Sequence, residues 1–406
     1  MRIAYLTQSY LPMISGAALV TCQIAEAMAR RGHKVLVIAA SDQSHPYLEH
    51  KQNLSIIRLR SYHNPLRVGQ RFLLYPRREV MRALRVFRPD VIHTHDPLQM
   101  GLLGIEYAKR VHVPVTLTIH QLPWFVASYL PTFSKICVET LLWMYARWLS
   151  RQFTSIITPT ETISGIVEKV IGLPVNTIGY GLDFEVFHPP LSSDAETATR
   201  QKWNLPPCVP LVLHVGRLDT DKHVDRVIAA AALSMARSDA HLLIVGDGVQ
   251  KPALMKQCQS LGIADRTHFP GFISVQDGLP DIYRAASVFV TASEIETQGI
   301  VLLEAAATGL PIAAVRATCI PEIVQDGLNG YLAEPGDLHG LGNAVDLLLK
   351  HPRKAGQMGM AGRVLAEKHN LHSTFDLHEQ FYRQMVRQLR MQRRAKKLLE
   401  QPIETR

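Results

Sequence analysis

Two carboxylates, Glu296 and Glu304, stand seven residues apart in a run that reads Glu296-Thr297-Gln298-Gly299-Ile300, then Glu304-Ala305-Ala306-Ala307-Thr308-Gly309-Leu310-Pro311. Ionised carboxylates accept hydrogen bonds strongly and with bidentate reach, which suits a ligand rich in hydroxyl groups. Between them, the amides around Gln298, Gly299 and Ile300 open a helix whose positive end suits a diphosphate. A second cluster, Gly216-Arg217-Leu218-Asp219-Thr220-Asp221-Lys222, places two cations five residues apart after an apolar run. Cations held ready there stabilise the charge that builds on a departing diphosphate, the work a metal ion does elsewhere.

Weaker signals lie elsewhere. Gly16, in the small-residue loop 12–18, lets the backbone approach a phosphate or an acceptor closely. His120 ends an apolar run, Thr118-Ile119-His120. His93 and His95 alternate on one strand face in Asp90-Val91-Ile92-His93-Thr94-His95-Asp96, but no third ligand stands at a convincing spacing, so no metal is assigned.

The elements that must position these residues repeat in a regular rhythm. Short β-branched runs at 3–6, 35–39, 55–59, 91–95, 115–119 and 155–158 alternate with helical patterns, and a second series occupies 211–215, 241–245, 267–269, 288–291, 311–315 and 330–333. That rhythm predicts two α/β units with parallel sheets covered by helices. The stretch Phe187-His188-Pro189-Pro190, followed by polar residues to Pro206-Pro207, reads as a linker. The expected domains are 1–187 and 205–365, followed by a helical basic tail at 366–406 with Phe381, Met385 and Leu389 in helical spacing. Ligands of open parallel sheets sit at the carboxyl ends of strands, where the motifs above fall.

A chain of 406 residues with 47% hydrophobic and 19% charged residues fits two globular domains. Five scattered cysteines, Cys22, Cys137, Cys208, Cys258 and Cys319, fit free thiols in a reducing compartment. The N-terminus turns polar at Thr7-Gln8-Ser9, too early for a signal core, and the apolar stretch 136–149 falls short of the ~20 residues of a bilayer span. A cytoplasmic protein is expected. The net charge of +9 favours anionic partners.

Taken with their surroundings, these motifs resemble the large retaining glycosyltransferase family 4 (glycosyl transferases group 1), which has the GT-B architecture of two facing Rossmann-like domains. The resemblance implies that Glu296 holds the donor hexose, Glu304 the ribose, and Arg217 and Lys222 the diphosphate. It makes His120 a contact to the donor sugar or its phosphate. Val245-Gly246-Asp247-Gly248 resembles the family's glycine loop, and Gly271-Phe272-Ile273 its nucleobase-lining segment. Two departures stand out: Gly16-Ala17 where the family usually has two glycines, and Gly179-Tyr180-Gly181 where it commonly has Pro-Asn-Gly. Thr297-Gln298-Gly299 and His120-Gln121-Leu122-Pro123 are closest to diacylglycerol glucosyltransferases, which implies UDP-glucose as donor and a membrane lipid as acceptor. No cofactor and no metal is implied.

Nine arginines and one acid, Glu79, lie between Arg58 and Arg88, among Phe72, Leu73, Leu74 and Tyr75, and seven cations without an acid lie between Arg383 and Lys397. Such stretches suit docking on an anionic membrane surface at its inner face, or form a plain solvated basic face. Trp124, Phe125 and Tyr129 would meet an acyl chain, stack on a sugar, or pack in the core. The basic stretches lack a nucleic-acid-reading motif, so no nucleic-acid partner is expected. Alternative readings are a soluble or polysaccharide acceptor, a sugar-nucleotide epimerase and a non-catalytic sugar-nucleotide sensor.

Overall fold

The first series of β-branched runs forms, in a computed structural model that describes residues 1–13, 15–63, 71–124, 132–190 and 193–399, the strands of one sheet. These are β1 (Arg2–Leu6), β2 (Lys34–Ala40), β3 (Tyr47–Lys51), β4 (Leu54–Leu59), β7 (Val91–Thr94), β8 (Val115–Thr118), β9 (Ser155–Thr158) and β10 (Asn176–Thr177), while β5 (Tyr62–His63) and β6 (Arg71–Phe72) pair with each other. Among the described residues the order is β10-β9-β8-β7-β1-β2-β4-β3, parallel except for the β3–β4 pair. β3 escaped the sequence reading because its residues, Tyr-Leu-Glu-His-Lys, are polar and half exposed at the sheet edge.

The second series forms β11 (Leu211–Val215), β12 (His241–Val245), β13 (Thr267–Gly271), β14 (Val288–Val290), β15 (Ile312–Val315) and β16 (Gly330–Ala333). All pairings are parallel, in the order β13-β12-β11-β14-β15-β16. Numbered from β11, this is 3-2-1-4-5-6, the order of a nucleotide-binding Rossmann sheet, whose direction of winding reverses between the first and fourth strands. Strands buried on both faces explain the continuous Leu, Val and Ile runs.

The chain divides into two compact units, residues 1–179 with 374–406, and residues 180–373, each with its own buried core. This differs from the expected boundary after residue 187 and from a separate tail at 366–406. Residues 180–190 are bound to the second unit: Leu182 N donates to His369 O (2.8 Å), Leu371 N to Leu182 O (2.9 Å), and Arg284 to the carbonyls of Val186 (2.6 Å) and His188 (3.0 Å). The helix Leu371–Leu399 joins the first unit instead, burying Phe381, Tyr382, Met385 and Val386. Its Glu379 accepts from His33 (3.1 Å) and Arg31 (3.0 Å), and Tyr382 meets the hydroxyl of Tyr5 (3.2 Å). Phe125, Tyr129, Arg67 and the tail beyond residue 399 lie outside the described residues.

Candidate functional site

The carboxyl ends of β11 and β14 adjoin at the point where the second sheet reverses its winding, so the loops that follow them open a crevice between them. The β11 loop carries Lys222 in a short helical turn, Thr220–Lys222, and the β14 loop carries Glu296. There Lys222 Nζ donates to Glu296 Oε1 at 2.5 Å, with both side chains largely buried. The Glu296 backbone is held too, its N–H donating to Thr318 Oγ1 (3.2 Å) and its carbonyl accepting from Cys319 Sγ (3.4 Å). A partly desolvated ion pair of this kind holds two charges in one place without gaining much net stability, because desolvation offsets the attraction.

Arg217 is not a bare cation. It donates to Asp219 and, at 2.8 Å, to Asp221, whose side chain is fully buried while Arg217 is about half exposed. The sequence reading names Glu296 for the hexose without pairing it to Lys222, and gives Asp221, the partner of Arg217, no role. A second residue it missed, His214, sits on β11 with Nδ1 donating to Val290 O (3.0 Å) and Nε2 beside Gly216. Burial pushes its pKa down to about 4, so the ring is neutral.

Glu304 lies on the helix Ile300–Ala307, which Gly299 opens with a φ of 71°. A Cβ at Gly299 would stand 2.8 Å from Leu302 Cδ1, a side-chain end that can shift, so it is the conformation that demands glycine. Glu304 is buried, and burial pushes its pKa up to about 7 against the opposing hydrogen bond from Tyr283 OH (2.7 Å). Tyr283 gave no signal in the sequence, since a lone tyrosine in a helical pattern reads as core. Thr297 and Ile300 flank the helix opening, both half-buried.

The side chain of Gln298 has a task of its own, apart from the backbone amide expected to face a diphosphate. It is buried, its Oε1 accepts from Tyr180 N (2.5 Å) and its Nε2 donates to Tyr180 O (2.8 Å). Its amide is spent on the segment where Gly179-Tyr180-Gly181 replaces the family's Pro-Asn-Gly. Ile273 likewise turns into the core at 2% exposure, whereas Phe272 is 54% exposed beside it. Gly246 adopts φ 141° where a Cβ would fall 1.8 Å from Gly216 O, so the loops after β11 and β12 touch backbone to backbone.

In the first unit Gly16 begins the helix Gly16–Arg30, capped by Ser15 Oγ, which accepts from Ala18 N (3.1 Å). A Cβ there would meet nothing among the described residues within 4 Å, so packing in the chain itself does not require glycine. His120 follows β8, half-buried, with Nε2 2.8 Å from His95 Nδ1, and burial lowers its pKa to about 4. His93, whose ring lies 4.1 Å from that of His95, bonds Thr118 Oγ1 and Tyr382 OH at 2.7 Å each. Among the described residues no group of three or more His, Cys, Asp or Glu is arranged to hold a metal ion, and no helix is long and apolar enough to cross a membrane.

Known proteins share this arrangement. The family described as Glycosyltransferase Family 4 matches residues 14–186, and that described as Glycosyl transferases group 1 matches residues 195–364. A GDP-mannose-dependent alpha-mannosyltransferase of Mycobacterium tuberculosis is 31% identical over 87% of this chain and 89% of its own length. The alpha-monoglucosyldiacylglycerol synthase of Acholeplasma laidlawii is 28% identical over 81% and 84%. The solved structure of sucrose-phosphate synthase from Thermosynechococcus elongatus superposes with a TM-score of 0.79 at 24% identity, covering 95% of this chain and 99% of that one, which establishes the GT-B fold. With two family matches in succession and a relative of this identity along nearly its whole length, the chain belongs to the group 1, family 4 glycosyltransferases.

Proposed function

We propose that the protein is a retaining, metal-independent hexosyltransferase that moves a hexose from a nucleotide sugar to a hydroxyl of a membrane lipid. The observation that carries this reading is the Lys222–Glu296 pair at the winding reversal of the second sheet, beside the helix that bears Glu304. Glu296 accepts from hexose hydroxyls and Glu304 from the ribose. Lys222 and Arg217 exchange their carboxylate partners for the diphosphate oxygens, and stabilise the charge that grows there as the sugar leaves.

In the transfer the bond from the anomeric carbon to the phosphate oxygen breaks, and the bond to the acceptor oxygen forms on the same face. The acceptor proton passes to a phosphate oxygen of the departing nucleoside diphosphate, so no protein base is required. The protein supplies position and charge.

Support for a lipid acceptor comes from the first unit. The helix Arg77–Phe87 buries Val80, Met81 and Leu84 and turns its arginines outward, around a hollow of about 380 Å³ lined by Arg77, Arg78, Arg82, Arg85 and Arg110. Ile136, Leu141, Met144 and Trp148 are each more than half exposed along the helix Thr132–Ser150. Exposed cations and exposed apolar residues within one unit suit an anionic membrane surface. The likeness to a monoglucosyldiacylglycerol synthase favours UDP-glucose and diacylglycerol, and the likeness to a GDP-mannose-dependent enzyme favours GDP-mannose as the second donor to try.

The test is turnover of UDP-, GDP- and ADP-sugars with and without diacylglycerol-containing anionic vesicles, in excess chelator, with the lipid product read by mass spectrometry. A hexose-shifted lipid formed only with vesicles is expected. Nucleotide release without lipid overturns the lipid acceptor, and a requirement for added metal overturns the role of the two cations.

A further inference from the structure

We infer that His95 is a positioning residue for His120: it donates from Nδ1 to His120 Nε2 and so fixes the tautomer in which His120 carries its proton on Nδ1. The inference rests on the proposed contact of His120 with the substrates, and it gives a role to the His-x-His pattern that metal chemistry leaves unexplained.

The geometry is rigid. β7 and β8 are neighbours in the first sheet; His95 follows directly on β7, and His120 comes two residues after the end of β8. His95 N donates to Leu6 O (2.9 Å) and Ile119 N to Ile157 O (2.9 Å), which ties both loops to the adjoining strands at their start. The two rings lie 21° from parallel with Nδ1 and Nε2 2.8 Å apart. The His95 ring also lies 4.1 Å from the ring of His93, tilted 33° to it, and His93 is itself held by Thr118 and Tyr382, while Tyr5 lies 6.0 Å away. Packed in this way, the His95 ring has no room to turn.

The direction of the proton follows from what the two nitrogens of His95 can reach. Burial, with the neighbouring histidines His93, His120 and His378 adding to it, lowers the His95 pKa well below 6.5, and burial alone lowers that of His120 to about 4. At neutral pH both rings are therefore uncharged, and one N–H lies between them. Among the described residues, His95 Nε2 is buried with no hydrogen-bond partner. Were the N–H to come from His120, the proton of His95 would sit on Nε2 as an orphaned buried donor, which costs more than a bare nitrogen in the same place. Donation from His95 avoids this and leaves His120 with Nδ1–H. His120 is thereby a hydrogen-bond donor, matched to a hydroxyl or phosphate oxygen, and not a proton acceptor.

Nitrogen-15 correlation spectra of histidine-labelled protein read the tautomers without any substitution. The Nδ1–H form of His120 is expected in the wild type, and a dominant Nε2–H form overturns the inference. His95→Phe is expected to lower kcat by about tenfold or more with donor KM changed less, as when an outer partner of a site residue is lost. His95→Asn, whose amide N–H reaches the position of Nδ1, is expected to recover most of the rate. Equal activity in wild type and His95→Phe, both folded by circular dichroism, overturns the positioning role. His120→Ala keeps the two readings apart: full activity there removes the substrate contact of His120, whereas inactivity there with an indifferent His95→Phe removes the role of His95 alone.

Discussion

The side-chain amide of Gln298 pairs with both backbone groups of Tyr180, accepting from its N–H at 2.5 Å and donating to its carbonyl at 2.8 Å. A glutamine that mimics a strand partner in this way fastens the segment that begins the second unit to the loop that precedes the Glu304 helix. Replacing Gln298 by Ala leaves two buried backbone groups unpaired, at a cost of about 1–3 kcal/mol. The expected result is a Tm lowered by several degrees with donor KM changed little, read by calorimetry and kinetics. A raised KM at an unchanged Tm would return Gln298 to the ligand.

Loss of either member of the pair at the winding reversal should be severe. Lys222→Ala and Glu296→Ala are each expected to lower transfer by roughly 10²–10³-fold, the scale seen when one preorganised electrostatic group is removed. Circular dichroism should show both variants folded. Wild-type turnover in either one would sink the assignment.

Glu304 sets a pH dependence of donor binding. Burial raises its pKa to about 7 while Tyr283 holds it from rising further. Only the ionised form offers acceptors to both ribose hydroxyls, so donor affinity should strengthen as pH rises through about 7. Removing the Tyr283 hydroxyl, in Tyr283→Phe, takes away the opposing hydrogen bond and should move that midpoint upward. Isothermal titration of the nucleoside diphosphate from pH 6 to 8 checks both, and a flat profile would exclude Glu304 from the ribose site.

The buried histidines make the fold sensitive to mild acid. Burial depresses His120, His214 and His369 to about 4 and His378 to about 3, while in the unfolded chain each titrates near 6.5. Between those limits the unfolded state binds the extra protons. Stability is therefore fully present above about pH 6.5 and is lost as pH falls toward 4, by about 1.4 kcal/mol per pH unit for each histidine. Denaturant midpoints measured across that range should fall steadily. A midpoint constant from pH 7 to 5 would contradict the neutral, buried state of these rings.

Much of the fold was legible because it depends on local pattern. β-branched runs bounded by glycine and polar loops located nearly every parallel strand, and the Glu296 and Lys222 motifs fell at strand exits where an open sheet binds its ligands. What escaped depends on contacts distant in sequence. Nothing local marks Tyr283 as the partner of Glu304 or His95 as that of His120. Gln298 and Ile273 stand inside motifs that point to a ligand, yet one is taken by Tyr180 and the other by the core. Prolines and polar residues point to a boundary after residue 187, but arginines 96 to 176 residues away bind residues 186–188 into the second unit, Arg284 through Val186 and His188 and Arg363 through Phe187.

The helix Leu371–Leu399 fixes an order of events during synthesis. The second unit is one continuous stretch, 180–373, and is complete before that helix is made. The first unit begins earlier but lacks its last pieces: Tyr5 and His93 wait for Tyr382, and Arg31 and His33 for Glu379, some 290 to 380 residues further on. At a translation rate of about 5–20 residues per second, the opening sheet stands for tens of seconds without its closing helix. The half of the chain that leaves the ribosome first is thus the half that finishes folding last.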